Sequence, residues 1–264
     1  MRSSGTRLWR LFGLLSLASF ILFAAGFVFA LDPRQLAPEG AAVRPQPSAK
    51  QPGVLPTTEG IRQIVALGDS LTRGVGDADG QGYLGRVRQA LEKKTGQSIT
   101  LANLAINGQE SPSLAAQITQ TQVKQLLAEA DLVFFTIGGN DLFKQSGELA
   151  DIDEKKLTEA TERLAVNFEQ ILKHIREQNP EAPIFYASLY NPFGDTEAAP
   201  DTIQPVLDWN SAAASIAAKY PRVLVVPTYD LFAGKEQTYL YTDHFHPNSA
   251  GYERIAERML QALE

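Results

Sequence analysis

Apolar and polar positions follow two different patterns along this chain. Short, unbroken apolar runs are typical of strands buried on both faces of a parallel sheet. Between these runs, apolar residues recur at three- and four-residue spacing, as in the stripe from Leu164 to Ile175, which is typical of helices. The runs predict five strands, at Ile64–Leu67, Ile99–Leu104, Asp131–Ile137, Pro183–Leu189 and Val223–Val226.

The regular alternation of strands and helices predicts the fold class. One helix is expected to begin at Ser111 and to carry Leu114, Ile118, Leu126 and Leu127 on its apolar side, and another spans about residues 203–218. Such a β–α order implies right-handed crossovers between parallel strands. We therefore expect an α/β protein, a three-layer α/β/α sandwich with a mostly parallel five-stranded sheet.

The N-terminal segment, residues 1–31, differs from the rest. Three arginines precede an apolar run without charges, Leu11–Leu31. A membrane-spanning helix needs about 20 apolar residues, whereas a signal peptide has about 7–15 followed by small residues at a cleavage site. The length favours an uncleaved anchor with a cytoplasmic N-terminus. The alternative is a signal peptide cleaved near Ala30, which would make the protein secreted.

Residues 32–60 are rich in proline and have no apolar periodicity, so we predict a flexible linker. It separates the N-terminal segment from one globular domain, residues 61–264. The net charge of −6 excludes a basic footprint for nucleic acid. The chain has no cysteine, which excludes disulfides, thiolate metal sites, a thiol nucleophile and a lipid-modified cysteine. None of these features predicts an oligomeric state.

Candidate chemistry lies just after the predicted strands. Ser70 follows the first strand, and ligands of α/β proteins bind beyond the carboxyl ends of their strands. A serine there is well placed as a nucleophile, provided that a base and an oxyanion site lie nearby. Gly108 and Asn140 follow the second and third strands and are candidate oxyanion donors, through a backbone N–H and a side-chain amide. A turn glycine and a helix-capping asparagine are the structural alternatives.

The segment after the fifth strand supplies a candidate base. Asp243 precedes His246 by three residues, so its carboxylate can hold the imidazole ring in one tautomer. His244 has no carboxylate at that spacing, and His174 lies at a polar position of a helix. A metal site is the competing interpretation of Asp-x-x-His, but nothing else in the sequence completes one, so we predict no metal.

Taken together, Gly68-Asp-Ser-Leu, Gly108, Gly138-Gly-Asn140-Asp and Asp243-x-x-His246 resemble the four signature blocks of the GDSL/SGNH hydrolases, in order. The resemblance covers residues 61–264. It is nearest to the bacterial branch of thioesterase I and lysophospholipase L1, with Gly68-Asp-Ser-Leu-Thr-Arg-Gly74 as the strongest run. It implies a flavodoxin-like fold and a carboxylic ester hydrolase that needs no cofactor.

The resemblance also implies a role for each residue. Ser70 attacks the ester, His246 acts as base and then as acid, and Asp243 orients His246. The backbone N–H groups of Ser70 and Gly108 and the side chain of Asn140 bind the oxyanion.

The substrate is less constrained by the sequence. Apolar residues beside the motifs are candidates for an acyl site, although loop packing is the alternative: Leu71, Leu142, Phe143, Phe193 and Phe245. A membrane tether favours lysophospholipids or other lipid esters as substrates. The alternatives are a carbohydrate or cell-wall O-acetylesterase and a catalytically silent, tethered binding domain.

Overall fold

The computed structural model describes residues 60–144, 147–148 and 151–264, together with Ser16, Ser19, Phe20 and Leu22. Contacts divide the chain into two compact units, Met1–Gln51 and Pro52–Glu264. Most of the predicted apolar span and linker lies outside the described residues. No helix formed by the residues described here is long and apolar enough to cross a bilayer. The anchor and the signal peptide therefore stay predictions.

Among the described residues, seven strands form two sheets. They are β1 (Gln63–Gly68), β2 (Thr100–Asn103), β3 (Leu132–Thr136), β4 (Gly147–Glu148), β5 (Asp151–Ile152), β6 (Ile184–Ala187) and β7 (Val223–Val226). Five of them make one parallel sheet in the order β2-β1-β3-β6-β7, which confirms the predicted fold class. Strands β4 and β5 form a small antiparallel pair that the apolar pattern did not predict.

Ten helices connect the strands within the described part of the domain. They are α1 (Ser70–Arg73), α2 (Gly82–Thr95), α3 (Ser111–Ile118), α4 (Thr121–Ala128), α5 (Gly139–Phe143), α6 (Glu154–Gln178), α7 (Ala199–Ala217), α8 (Tyr229–Phe232), α9 (Glu236–Tyr239) and α10 (Ser249–Gln261). The single helix predicted from Ser111 is wrong, because Gln120 is extended and separates α3 from α4. Helix α7 begins before the predicted residue 203, with Pro200 in its first turn, where a missing N–H costs nothing.

The central strands β1, β3 and β6 are buried on both faces, which explains their unbroken apolar runs, whereas the edge strands β2 and β7 are only partly buried. Val65 and Leu67 of β1 pack on one side with helices α3, α4, α6 and α7. Ile64 and Ala66 point to the other side, where α2 and α10 pack. Because successive residues of a strand alternate between faces, both sets must be apolar in a three-layer sandwich.

The side of the sheet on which the chain adds new strands changes between β1 and β3. From β1 the chain first adds β2 on one side and then crosses to β3 on the other. At such a switch point the loops after the two adjacent strands diverge and leave a crevice at the carboxyl edge of the sheet. The loops after β1 and β3 carry Ser70 and Asn140.

Candidate active site

Ser70 is positioned by a tight junction between β1 and α1. Gly68 has φ +116°, and a Cβ there would lie 2.0 Å from the carbonyl oxygen of Thr136, so only glycine fits. Asp69 caps α1 by accepting a hydrogen bond from the Leu71 N–H at 3.1 Å, and it accepts another from Thr136 Oγ at 2.6 Å. Burial raises the pKa of Asp69 despite these bonds. Ser70 becomes the first residue of α1.

The structure brings Ser70, His246 and Asp243 together. His246 Nε2 lies 2.7 Å from Ser70 Oγ, and His246 Nδ1 lies 2.7 Å from Asp243 Oδ2. A carboxylate only accepts hydrogen bonds, so Nδ1 carries the ring proton. Nε2 is then the acceptor that faces the serine hydroxyl, which is the arrangement a base needs.

The electrostatics of Asp243 suit this arrangement. Burial alone would raise the pKa of its carboxyl, but the hydrogen bonds from His246 and from the backbone N–H groups of residues 245 and 246 outweigh burial and lower it. The backbone bonds, from Phe245 at 3.0 Å and His246 at 2.9 Å, both go to Oδ1. The carboxylate therefore stays ionised and has Oδ2 available for the imidazole.

The loop that carries His246 does not follow the fifth sheet strand directly, as the sequence suggested, because α8 and α9 intervene. Hydrogen bonds hold this loop from both sides. The Tyr241 N–H donates to the His246 carbonyl at 2.7 Å, and Tyr190, from the loop after β6, donates through its hydroxyl to the Phe245 carbonyl at 2.6 Å. Tyr190 was not predicted, although its position just after a strand was an available signal.

The candidate oxyanion donors lie in neighbouring segments that follow β1, β2 and β3. Asn140 Nδ2 donates to the carbonyl of Gln109 at 3.0 Å, which joins the loop after β3 to the loop that contains Gly108. One amide hydrogen of Asn140 is used there, and an amide carries two. The N–H of Ser70 lies in the first turn of α1, where it has no partner within the helix. No hydrogen bond among the described residues joins Gly108 to Ser70 or Asn140.

Asp141 and His174 lie apart from this chemistry, whereas His244 lines a groove beside Asp243. Asp141 accepts from the Ser111 hydroxyl at 2.5 Å and from the Ser111 N–H at 2.9 Å, so it joins α5 to the start of α3 and has a structural role. His174 pairs with Glu177 on the surface of α6. His244 adopts a left-handed backbone with φ 51°. Within the described residues, no group of three or more acidic or histidine side chains is arranged to hold a metal.

A groove runs outward from Ser70. A small cavity of about 40 Å³ touches Ser70, His246 and Tyr190. It shares Asn140, Phe143 and Phe245 with a groove of about 660 Å³, and the larger groove is also lined by Phe193 and by residues 196–198. These last three residues follow β6 and belong to no sequence motif, so the sequence did not indicate them.

Three phenylalanines form the apolar wall of this groove. The ring centroids of Phe143 and Phe193 are 5.5 Å apart, those of Phe193 and Phe245 are 6.0 Å apart, and Phe245 reaches the His246 ring at 5.0 Å. Leu71 lines the small cavity. Leu142 does not belong to the predicted acyl site: it is fully buried in the core, because it lies on the opposite face of α5 from Asn140.

The chain is similar to a known protein family and to curated proteins. Residues 66–254 match the GDSL-like lipase/acylhydrolase family. The YpmR protein of Bacillus subtilis (strain 168) is 38% identical over 206 residues, which are 76% of this chain and 81% of that protein. The spore germination lipase LipC of Bacillus licheniformis is 32% identical over 207 residues, which are 76% of this chain and 95% of LipC.

Solved structures are similar as well. The lipase Lip_vut3 from a goat rumen metagenome superimposes with a TM-score of 0.69 at 30% identity, over 77% of this chain and all of that one. The acetylxylan esterase Axe2 of Geobacillus stearothermophilus superimposes with a TM-score of 0.61 at 21% identity, over 78% of this chain and 96% of Axe2, and shares the fold. From the matched family and the parallel sheet, we conclude that the chain belongs to the GDSL-like lipase/acylhydrolase family.

Proposed function

We propose that this protein is a serine hydrolase that cleaves acyl esters of lipids. The observation that carries the proposal is the relay from Asp243 through His246 to Ser70, with 2.7 Å at each step. Ser70 and His246 line a small cavity that shares Asn140, Phe143 and Phe245 with an apolar groove. A serine hydroxyl is a poor nucleophile unless a base takes its proton, and here the base is already in contact with it. The family membership supports the same reaction class.

The reaction proceeds in two steps. Ser70 Oγ bonds to the ester carbonyl carbon while its proton passes to His246 Nε2. The carbon–oxygen bond to the leaving alcohol then breaks, and the alcohol oxygen takes the proton from Nε2. Water repeats the sequence on the acyl-enzyme, releasing the acid and restoring Ser70. The negative charge of the tetrahedral intermediate is bound by the Ser70 N–H, the Gly108 N–H and the Asn140 amide.

The groove favours a long acyl chain over a short acetyl group. Acetyl offers one methyl group to bury, whereas the wall formed by Phe143, Phe193 and Phe245 offers a continuous aromatic surface beside His246. Burial of apolar surface is worth about 25 cal/mol per Å², so a longer chain gains binding along this wall. The names of LipC and Lip_vut3, a germination lipase and a rumen lipase, agree with a lipid substrate.

We also propose that the domain works outside the cytoplasm. The support is in the sequence, where arginines precede the uncharged run Leu11–Leu31. The domain would be tethered if this run stays, or released if it is cleaved near Ala30. N-terminal sequencing of protein from membrane and medium fractions distinguishes the two fates, and recovery of the protein in the cytoplasmic fraction contradicts both.

Hydrolysis of p-nitrophenyl esters from acetyl to palmitoyl by the full chain tests the enzymatic proposal. We expect activity to rise beyond acetyl and to fall by at least about 10³-fold in Ser70→Ala. Ser215→Ala, on the exposed surface of α7, is the matched control and should behave as wild type. A steep loss of activity beyond acetyl would favour an O-acetylesterase, and equal activity of Ser70→Ala and wild type would refute the serine mechanism.

A second variant tests the acyl wall. Replacing Phe193 with Ala removes an aromatic ring from the groove wall. The ring is only 8% exposed before substrate binds, so the variant acts by removing wall contacts with the acyl chain, at about 25 cal/mol per Å² of chain surface left uncovered. We expect kcat/KM for octanoyl and longer esters to fall by about 10-fold or more, while the value for the acetyl ester changes little. Val166→Ala, an exposed apolar position on α6, is the control. An equal loss for acetyl and octanoyl esters would contradict a role in chain binding.

A further inference from the structure

The loop between α1 and α2, residues 74–81, lies against the segment that carries His246. We call it the Asp77 loop. It leaves the helix that begins with Ser70, and three contacts join it to the end of the chain that supplies His246. The Tyr252 hydroxyl of α10 donates to the Val75 carbonyl at 2.7 Å, Gly76 packs against Pro247 and His246, and Ser249 donates to Asp77.

Asp77 organises this loop. Its side chain is inaccessible to solvent, and Arg86 Nη1 donates to Oδ2 at 2.6 Å. Backbone N–H groups of Asp79, Gln81 and Gly82 donate to the same carboxylate. Ser249 Oγ donates to Oδ1 at 2.6 Å and is the only one of these donors that comes from outside residues 79–86. Burial opposes ionisation, but these bonds hold the pKa of Asp77 well below its ordinary value.

Gly76 provides the closest approach. Its φ is +90°, and a Cβ there would lie 2.6 Å from the Pro247 carbonyl oxygen and 3.0 Å from the Cβ of His246. No side chain fits without displacing the backbone that bears the candidate base. Gly80, in the same loop, also has a positive φ of +67°, yet a Cβ there would meet nothing within 4 Å.

We propose that the Asp77 loop sets the distance between Ser70 and His246, with Gly76, Asp77 and Ser249 as positioning residues. Ser70 and His246 are 176 residues apart in the chain, and the loop is a direct bridge between the elements that carry them. A misplacement of about 1 Å between reacting groups costs about 10²-fold in rate. The bond from Ser249, three residues after His246, therefore acts on kcat and has little effect on substrate binding.

This inference rests on the proposed function, and paired glycine variants of the full chain test it. We expect Gly76→Ala to lower kcat by about 10²-fold with little change in KM. Gly80→Ala imposes similar backbone strain in open space and should keep kcat within about twofold of wild type. Thermal unfolding of both variants separates loss of folding from loss of positioning. Wild-type kcat in a folded Gly76→Ala variant, or an equal loss in Gly80→Ala, would overturn the inference.

Ser249 provides a second test that introduces no clash. Ser249→Ala removes only the hydroxyl and should lower kcat by about 3- to 10-fold, because the Tyr252 bond to Val75 remains. Ser249→Thr keeps a hydroxyl and should restore kcat. An unchanged kcat in Ser249→Ala, or the same loss in both variants, would remove Ser249 from the positioning set.

Failure of the proposed function can be recognised separately. Labelling of Ser70 by a fluorophosphonate probe requires activation by His246 but no natural substrate. If wild type hydrolyses no ester, the proposed lipid esterase activity fails. The labelling rates of wild type, Gly76→Ala and Gly80→Ala still decide the inference: slower labelling of Gly76→Ala alone supports it, and equal labelling of all three refutes it.

Discussion

Replacing Asp243 with Asn changes one atom at the outer end of the relay. Oδ1 would remain and still accept from the backbone N–H groups of Phe245 and His246, at 3.0 and 2.9 Å. In place of Oδ2, an amide nitrogen would face His246 Nδ1 and donate to it. The ring proton would then reside on Nε2, which would face Ser70 as a donor and could no longer take its proton.

The size of the effect follows from the two groups that must lose their partners. To return the proton to Nδ1, the ring N–H and the Asn amide N–H must face each other unpaired, at about 1–3 kcal/mol each. This sum of about 2–6 kcal/mol corresponds to about 30- to 3 × 10⁴-fold in rate. Loss of the carboxylate charge adds to it, but 39% of the Asp243 side chain is exposed, so water offsets part of the cost. We expect kcat to fall by about 10³-fold.

The assay compares kcat for a p-nitrophenyl ester in wild type and Asp243→Asn, with Asp230→Asn as the control. Asp230 pairs with Arg258 on the surface at 2.7 Å, so its amide variant makes the same chemical change away from the relay. Because the backbone bonds of Oδ1 persist, the Tm of Asp243→Asn should stay close to that of wild type. A loss in kcat of less than about tenfold, in a folded variant, would refute the tautomer argument.

Three further predictions follow from other residues. Asn140→Ala should lower kcat by about 10²–10³-fold and leave KM nearly unchanged, since the oxyanion exists only in the transition state; a change in KM alone would contradict this role. Leu142→Ala should cost about 2–5 kcal/mol in urea unfolding because the residue is fully buried, and an altered acyl-chain preference at unchanged stability would contradict its place in the core. In the folded protein the pKa of Asp77 lies below its ordinary value of 3.8. The ionised carboxylate therefore stabilises the fold above pH 3.8, and this stabilisation is lost as the pH falls towards the folded-state pKa. The difference in Tm between wild type and Asp77→Asn should therefore narrow as the pH is lowered from about 7 to about 3, and a difference that stays constant over that range would contradict it.

The fold was predictable from sequence because the central strands are buried on both faces. Val223–Val226 also has the predicted bounds, since a run of β-branched and leucine residues favours a strand even at the partly buried edge of the sheet. The boundary between α3 and α4 was not predictable. Ile118, Val123 and Leu127 pack in the same core cluster, so the apolar pattern continues across the extended residue Gln120.

The sequence could indicate those contacts of the site that join residues close together in the chain. Three residues separate Asp243 from His246, which is short enough for the sequence to indicate their hydrogen bond. The direction of a side chain within α5 was not indicated. Residues advance by about 100° per position in a helix, so Asn140 and Phe143 share the groove side while Leu142 points to the opposite side. The sequence did not indicate that the loop after β6 lines the groove, because that role depends on tertiary packing.

The long separation between Ser70 and His246 has a consequence for how the protein matures. Ser70 belongs to the first strand–helix unit of the sheet, whereas His246 is held in place by the packing of α10 against α2 and the Asp77 loop. We therefore expect the nucleophile and its base to reach their final separation only when the last helix has docked. A nascent chain whose strands have all left the ribosome, but whose helix α10 has not, should therefore be inactive. The appearance of hydrolysis during refolding consequently reports the final docking event and not the formation of the sheet.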